Sequence, residues 1–152
     1  MKYFSTILIL FLLVGCQKFQ TIQVIKDGEN LVFGNKMATS NCTESIFIYD
    51  FEITYTKNGI TETAWMLIRN QHPNTEEKAF DFPLTYGKSP TGVNTTTKAM
   101  ELKPGIYKLG ATLSCRTNND LKSISLIGSF AINQNGDLIT EKSRISDMKN
   151  KI

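Results

Sequence analysis

The sequence predicts an all-β protein built as a single β-sandwich of about seven to nine short, mostly antiparallel strands, with a small barrel as the alternative closure. Three observations carry this. Apolar residues recur with period two over most of the chain, as expected for strands with one buried face. Turn-forming pairs rich in Gly, Asn, Asp and Pro punctuate the runs at short intervals. No stretch between them carries a convincing amphipathic helical pattern. At 152 residues and 41% hydrophobic composition the chain suits one domain with a closed core.

The runs fall in order. Ile22 to Phe33 offers one or two short strands about Asp27-Gly28. Phe47, Tyr49, Phe51, Ile53 and Tyr55 are expected to share one face, with Asp50, Glu52, Thr54 and Thr56 on the other and Ile48 as the exception. Asn58-Gly59 supplies the positive φ of a tight hairpin. The returning strand, Thr61 to Arg69, is apolar on both sides at Ala64, Trp65, Met66, Leu67 and Ile68, as a central strand would be. After a polar loop at 70–78, Phe80, Phe82, Leu84 and Tyr86 alternate with Asp81, Pro83 and Thr85. Pro83 cannot donate to a ladder and sends that strand to a sheet edge. A second loop spans Gly87 to Asn94, its flexible stretch reaching Thr97, and a weaker strand is expected over Thr96 to Leu102. Lys103-Pro104-Gly105 turns the chain into Tyr107, Leu109, Ala111, Leu113 and Cys115 on one face. Residues 116–120 form a polar turn. Ile124, Leu126, Phe130 and Ile132 face inward, with Gly128 marking a bulge or close approach. Asn135-Gly136 turns into a last strand at Leu138 to Thr140, and 141–152 form a charged tail or at most a short helix.

The first sixteen residues carry a different signal. Lys2 precedes the unbroken apolar run Ile7 to Val14, which is too short to span a bilayer and has the length of a signal-peptide core. Leu13-Val14-Gly15-Cys16 completes the segment. This resembles the lipobox of bacterial lipoproteins. The resemblance implies removal of residues 1–15, acylation of Cys16 and a short tether over 16–21, leaving a domain at 22–140 and a tail at 141–152. Gln17 stands where enteric-type lipoproteins carry an inner-membrane retention aspartate, so the same resemblance implies the outer membrane, facing the periplasm. Several acyl chains anchor stably where one does not. In an oxidising compartment the remaining cysteines, Cys42 and Cys115, are expected to pair, a staple of about 4 kcal/mol.

A second resemblance covers 100–140. Leu102-Lys103-Pro104-Gly105-Ile106-Tyr107, Ser129-Phe130-Ala131-Ile132 and Asn135-Gly136 resemble a pattern of prealbumin-like β-sandwich modules in envelope lipoproteins. It implies binding and accessory roles and no active site.

Chemistry-bearing residues are sparse. His72 is the single histidine, so there is no His-pair metal site, the cysteines are otherwise assigned, and no Gly-x-Ser-x-Gly elbow supports a triad; no catalytic set, metal or cofactor is expected. Asp50 and Glu52 share a strand face, and Glu76-Glu77 a loop; both suit a wet surface better than a glycosidase pair. The formal charge of +3 is spread singly along the chain and does not suit nucleic acid. The expected function is therefore that of a lipid-anchored interaction module, an accessory or assembly component of an envelope complex. The alternative is an anchored inhibitor or immunity protein that blocks a toxic or lytic enzyme. The expected partner is another envelope protein, met through His72, Asn74, Phe80, Phe82, Tyr86, Lys88 and Thr91 in the two loops and the edge strand.

Overall fold

A computed structural model describes residues 19–34, 45–69, 83–90, 92–117 and 120–149. Within them ten strands form two sheets, neither closed into a barrel: the all-β, sandwich-like fold the alternation predicts. The strands are β1 (Gln20–Thr21), β2 (Gln23–Asp27), β3 (Asn30–Gly34), β4 (Ser45–Lys57), β5 (Ile60–Arg69), β6 (Leu84–Thr85), β7 (Val93–Thr97), β8 (Gly105–Thr117), β9 (Asp120–Ile132) and β10 (Leu138–Ile139). A helix, α1 (Lys142–Lys149), comes last. The large sheet runs β1-β9-β8-β4-β5-β7, with β10 also on β9; the small sheet runs β2-β3-β6. The described pairings are antiparallel except β1 on β9.

Three neighbouring long strands make the frame. β4, β8 and β9 are each 13 residues long, and β8 joins the other two. Their inward side chains, Phe51, Ile53, Tyr55, Tyr107, Leu109, Leu113, Leu126 and Phe130, meet Ile22, Leu31, Phe33 and Leu84 from the other layer in one core. Asn58 (φ 53°) and Gly59 (φ 75°) close the β4–β5 hairpin as their sequence requires. At the β9–β10 turn the Asn133 carbonyl Oδ1 accepts from the N–H groups of Asn135 and Asp137 at 2.9 and 2.8 Å. Gly128 is a close approach: a Cβ there would stand 3.2 Å from the Ile22 carbonyl oxygen.

The structure differs from the alternation where bulges change its phase. Tyr49 is skipped in the β4–β8 register, which steps from Ile48–Leu113 to Asp50–Thr112. Ile48 is therefore buried in the core and Tyr49 is 48% exposed, the reverse of the period-two expectation. Phe47 is buried but stands outside the main cluster, its ring 4.9 Å beneath the Arg69 guanidinium. A second bulge at Ala64 lets Ala64 and Trp65 both turn inward. β5 is the penultimate strand, not a central one, and its other face leaves Met66 and Ile68 half-exposed.

Other boundaries move too. Gln20 and Thr21, expected in the tether, already pair with Leu126 and Ile127. The strand expected over Thr96 to Leu102 lies at Val93–Thr97, inside the expected loop, whereas Met100 and Leu102 pack on the core from irregular chain. A single backbone bond still ties this stretch to β5: the carbonyl of the bulged Ala64 accepts the Met100 N–H at 2.9 Å. Of the alternating run from Phe80, only Leu84–Thr85 is a described strand, on the edge of the small sheet; Phe80 and Phe82 lie outside the described residues. In the tail, α1 buries Ile145 against Ala131 and Ile139, with Ile106 and Met148 beside them, and so covers one end of the large sheet's outer face.

The Leu102–Tyr107 motif has a full physical account. The Tyr107 hydroxyl accepts from the Lys103 N–H at 2.8 Å and donates to the Lys103 carbonyl at 2.9 Å, a tyrosine corner. The Tyr55 hydroxyl donates to the Pro104 carbonyl at 3.0 Å. Gly105 is there because the Tyr55 ring is: a Cβ would sit 2.3 Å from Tyr55 Cε2. Behind the corner Tyr107 stacks on Phe130 at 4.7 Å and lies 4.9 Å from Tyr55. Gly105→Ala is expected to destabilise the fold by about 2 kcal/mol or more through this clash, whereas Gly110→Ala, with open space around its Cβ, is expected to be neutral or stabilising by up to about 1 kcal/mol; urea denaturation of both variants checks the contrast.

Candidate interaction surface

The two edges of the large sheet are unlike. On one side, β1 and β10 both lie against β9, capping its Leu126–Ile127 and Ala131–Ile132 stretches. The Ile22 N–H continues the cover by donating to the Ile127 carbonyl at 2.8 Å. On the other side β7 is terminal, with no further strand among the described residues. Asn94, Thr95 and Thr96 are exposed there. β6, an edge strand of the small sheet, precedes β7 in the chain.

This edge is built firmly. Thr96 is skipped in the β5–β7 register and its hydroxyl donates to the Met66 carbonyl at 3.3 Å. The Ser89 and Thr95 hydroxyls are hydrogen-bonded to each other, tying loop to strand. The Tyr86 N–H donates to the Leu31 carbonyl and the Lys88 N–H to the Thr85 carbonyl. A proline at 83 and a bulge at Thr96 are the devices by which natural edges avoid indiscriminate pairing. The edge offers threonine hydroxyls and backbone groups, with the exposed Lys88 in the adjoining loop.

The expected contact residues distribute unevenly. Lys88 is exposed in the β6–β7 loop, as a contact residue must be. Tyr86 is half-buried: its ring meets Phe33 and Trp65 edge-on at 6.3 and 5.3 Å, and its hydroxyl donates to the Met100 carbonyl at 2.9 Å. It anchors the loop from beneath. His72, Asn74, Phe80, Phe82 and Thr91 lie outside the described residues, as do Cys16 and Cys42. Cys115 is buried at 1% exposure near the end of β8 and is engaged, not free. Alternation places β7 a few residues too late, because a Val-Asn-Thr-Thr-Thr strand carries almost no apolar signal.

Elsewhere the chemistry is modest. Glu52 accepts from the Thr63 hydroxyl at 3.0 Å on the open face of the large sheet, where Asp50 also lies. A groove of about 470 Å³ lies between α1, the Asn133–Gln134 turn and Pro104–Gly105, with Lys57, Arg144 and Asp147 among its lining residues. No group of three or more potential metal ligands occurs among the described residues. Among them, too, no helix is long and apolar enough to cross a membrane. The Trp65 indole N–H is buried without a hydrogen-bond partner, held among Phe33, Phe51 and Tyr86.

No family model matches the chain, and no curated protein and no solved structure matches it either.

Burial pushes the Tyr86 hydroxyl up to about 12 and raises that of Tyr107 as well. A tyrosine that resists ionisation when folded keeps its proton while the unfolded chain, near 10, loses it. Stability should therefore be flat below about pH 10 and fall as pH rises through about 12. Tyr86→Phe is expected to reduce that alkaline fall and to lower stability at neutral pH by about 1 kcal/mol through the lost bond to Met100; denaturant titrations across alkaline pH check both.

Proposed function

We propose that this protein is a lipid-anchored envelope protein that works by binding another protein, as an accessory or assembly component at the outer membrane facing the periplasm, and that it turns nothing over. The observation that carries the reading is the asymmetry of the large sheet among the described residues: one end closes with β1 and β10, two residues each, laid on β9, the other ends at the five-residue, exposed, uncharged, Thr-rich β7. An extended segment of a partner laid along β7 would gain main-chain hydrogen bonds, with the β6–β7 loop and Lys88 setting specificity.

The anchor rests on Leu13-Val14-Gly15-Cys16 at the end of the apolar run. Acylation of Cys16 would confine the domain to a surface and raise its effective concentration for a neighbouring partner. In the same compartment Cys115 would be joined to Cys42, fixing the far end of β8 to the chain that leads into β4. The resemblance of Leu102–Tyr107, Ser129–Ile132 and Asn135-Gly136 to prealbumin-like envelope modules supports a binding role over catalysis.

The test uses the mature chain lacking its lipid as bait in the native envelope. Thr95→Lys together with Lys88→Glu is expected to cut capture of the partner at least about tenfold with an unchanged circular dichroism spectrum. Asp50→Asn with Glu52→Gln should leave capture unaltered. Undiminished capture by the edge variant, or hydrolysis of a cell-wall glycan lost in the carboxylate variant, would overturn the proposal.

A further inference from the structure

The outer face of the large sheet beside β1 carries an exposed large apolar side chain, Ile127, among polar neighbours. Register places Thr21 beside Ile127, and Ile127 opposite Gly110. Ile127 is 49% exposed, as no described element lies above it; among the described residues α1 covers this face only lower down, at Ala131. Phe19, two residues before Thr21, is 56% exposed. Ser125 and Ser129 flank Ile127 on β9, and Lys108, paired with Ser129, is exposed on β8. The acidic side chains of this face, Asp50 and Glu52, stand further across the sheet on β4.

Chain length then decides what lies against it. Three residues separate Cys16 from Gln20, the first residue of β1. Four Cα steps reach at most about 14 Å when fully extended. An acylated Cys16 sits at the glycerol level of the bilayer, so β1 cannot leave the headgroup layer by more than that distance. Among the surfaces around that point, the outer face presents two large apolar side chains, hydroxyls and a cation, the composition of an interfacial membrane contact.

We propose that the Phe19–Ile127 patch, with Lys108 and the flanking serines, is seated in the headgroup region of the membrane that holds the anchor. The inference rests on the lipid anchor proposed above and adds an orientation to it. β7 lies five strand spacings from β1, roughly 24 Å across the sheet, so seating the patch holds the open edge away from the lipid where a partner reaches it.

Tryptophan fluorescence in the acylated full-length protein tests this. The protein is reconstituted into phosphatidylethanolamine–phosphatidylglycerol vesicles carrying lipids brominated near the headgroup. Trp65, buried in the core, gives a constant background. In Ile127→Trp the added emission should be quenched roughly twofold or more. Thr21→Trp, on the same row, gives a second reading should the first variant misfold. Thr95→Trp at the far edge and Ile25→Trp on the small sheet should be unquenched. Mass spectrometry of the same samples separates the two ideas. A chain without acyl groups on Cys16 overturns the anchor and this inference with it. An acylated chain in which Ile127→Trp and Thr21→Trp are no more quenched than Thr95→Trp and Ile25→Trp overturns this inference alone.

Discussion

The ring of Phe33 is the contact on which the two sheets depend. It projects from the middle strand of the small sheet and is fully buried. Its centroid lies 5.5 Å from Phe51, 6.4 Å from Trp65, 6.3 Å from Tyr86 and 6.2 Å from Phe130. Those rings come from β4, β5, the end of β6 and β9, so one side chain joins the small sheet to three strands of the large one. A three-stranded sheet with strands of five, five and two residues has little stability of its own. It persists because burying Leu31, Phe33 and Leu84 against the large sheet removes apolar surface from water.

The unpartnered indole N–H of Trp65 arises from the same packing. Trp65 is wedged between Phe33, Phe51 and Tyr86, and no acceptor stands near enough among them. Such a group costs about 1–3 kcal/mol. The aromatic contact area that a smaller side chain would forfeit offsets that cost.

Much of this was legible from alternation, and the exceptions have physical reasons. β8 keeps its pattern from Tyr107 to Cys115 because it lies between two long partners and has no bulge in its own chain. β4 departs at Tyr49 because an extra residue there resets the phase, and nothing in Phe-Ile-Tyr-Asp-Phe distinguishes a bulge from straight strand. α1 lies within the 141–152 segment read as a charged tail or at most a short helix; it leaves no clearer mark because its eight residues bury one side chain, Ile145, too little to make a periodic stripe. β7 is expected a few residues too late because it buries almost nothing, and its place at an edge is what makes it a candidate contact. The proposed contact set divides along the same line. Lys88 was legible as a loop cation, whereas the role of Tyr86 beneath the loop needed the Met100 carbonyl, which only the fold brings to it.

Among the described residues one end of the large sheet is covered by β1 and β10 and the other ends at β7, an arrangement that sets the backbone protection expected at each. Native-state amide hydrogen exchange of the mature domain measures it directly. The interior amides of β8, from Tyr107 to Leu113, should exchange only through global unfolding. That of Ile22, bonded to the Ile127 carbonyl, should be protected by β9, and those amides of Thr95–Thr97 that do not donate to β5 should exchange orders of magnitude faster than either. Protection at β7 equal to that of β8 would mean the edge is already covered, and would contradict the account.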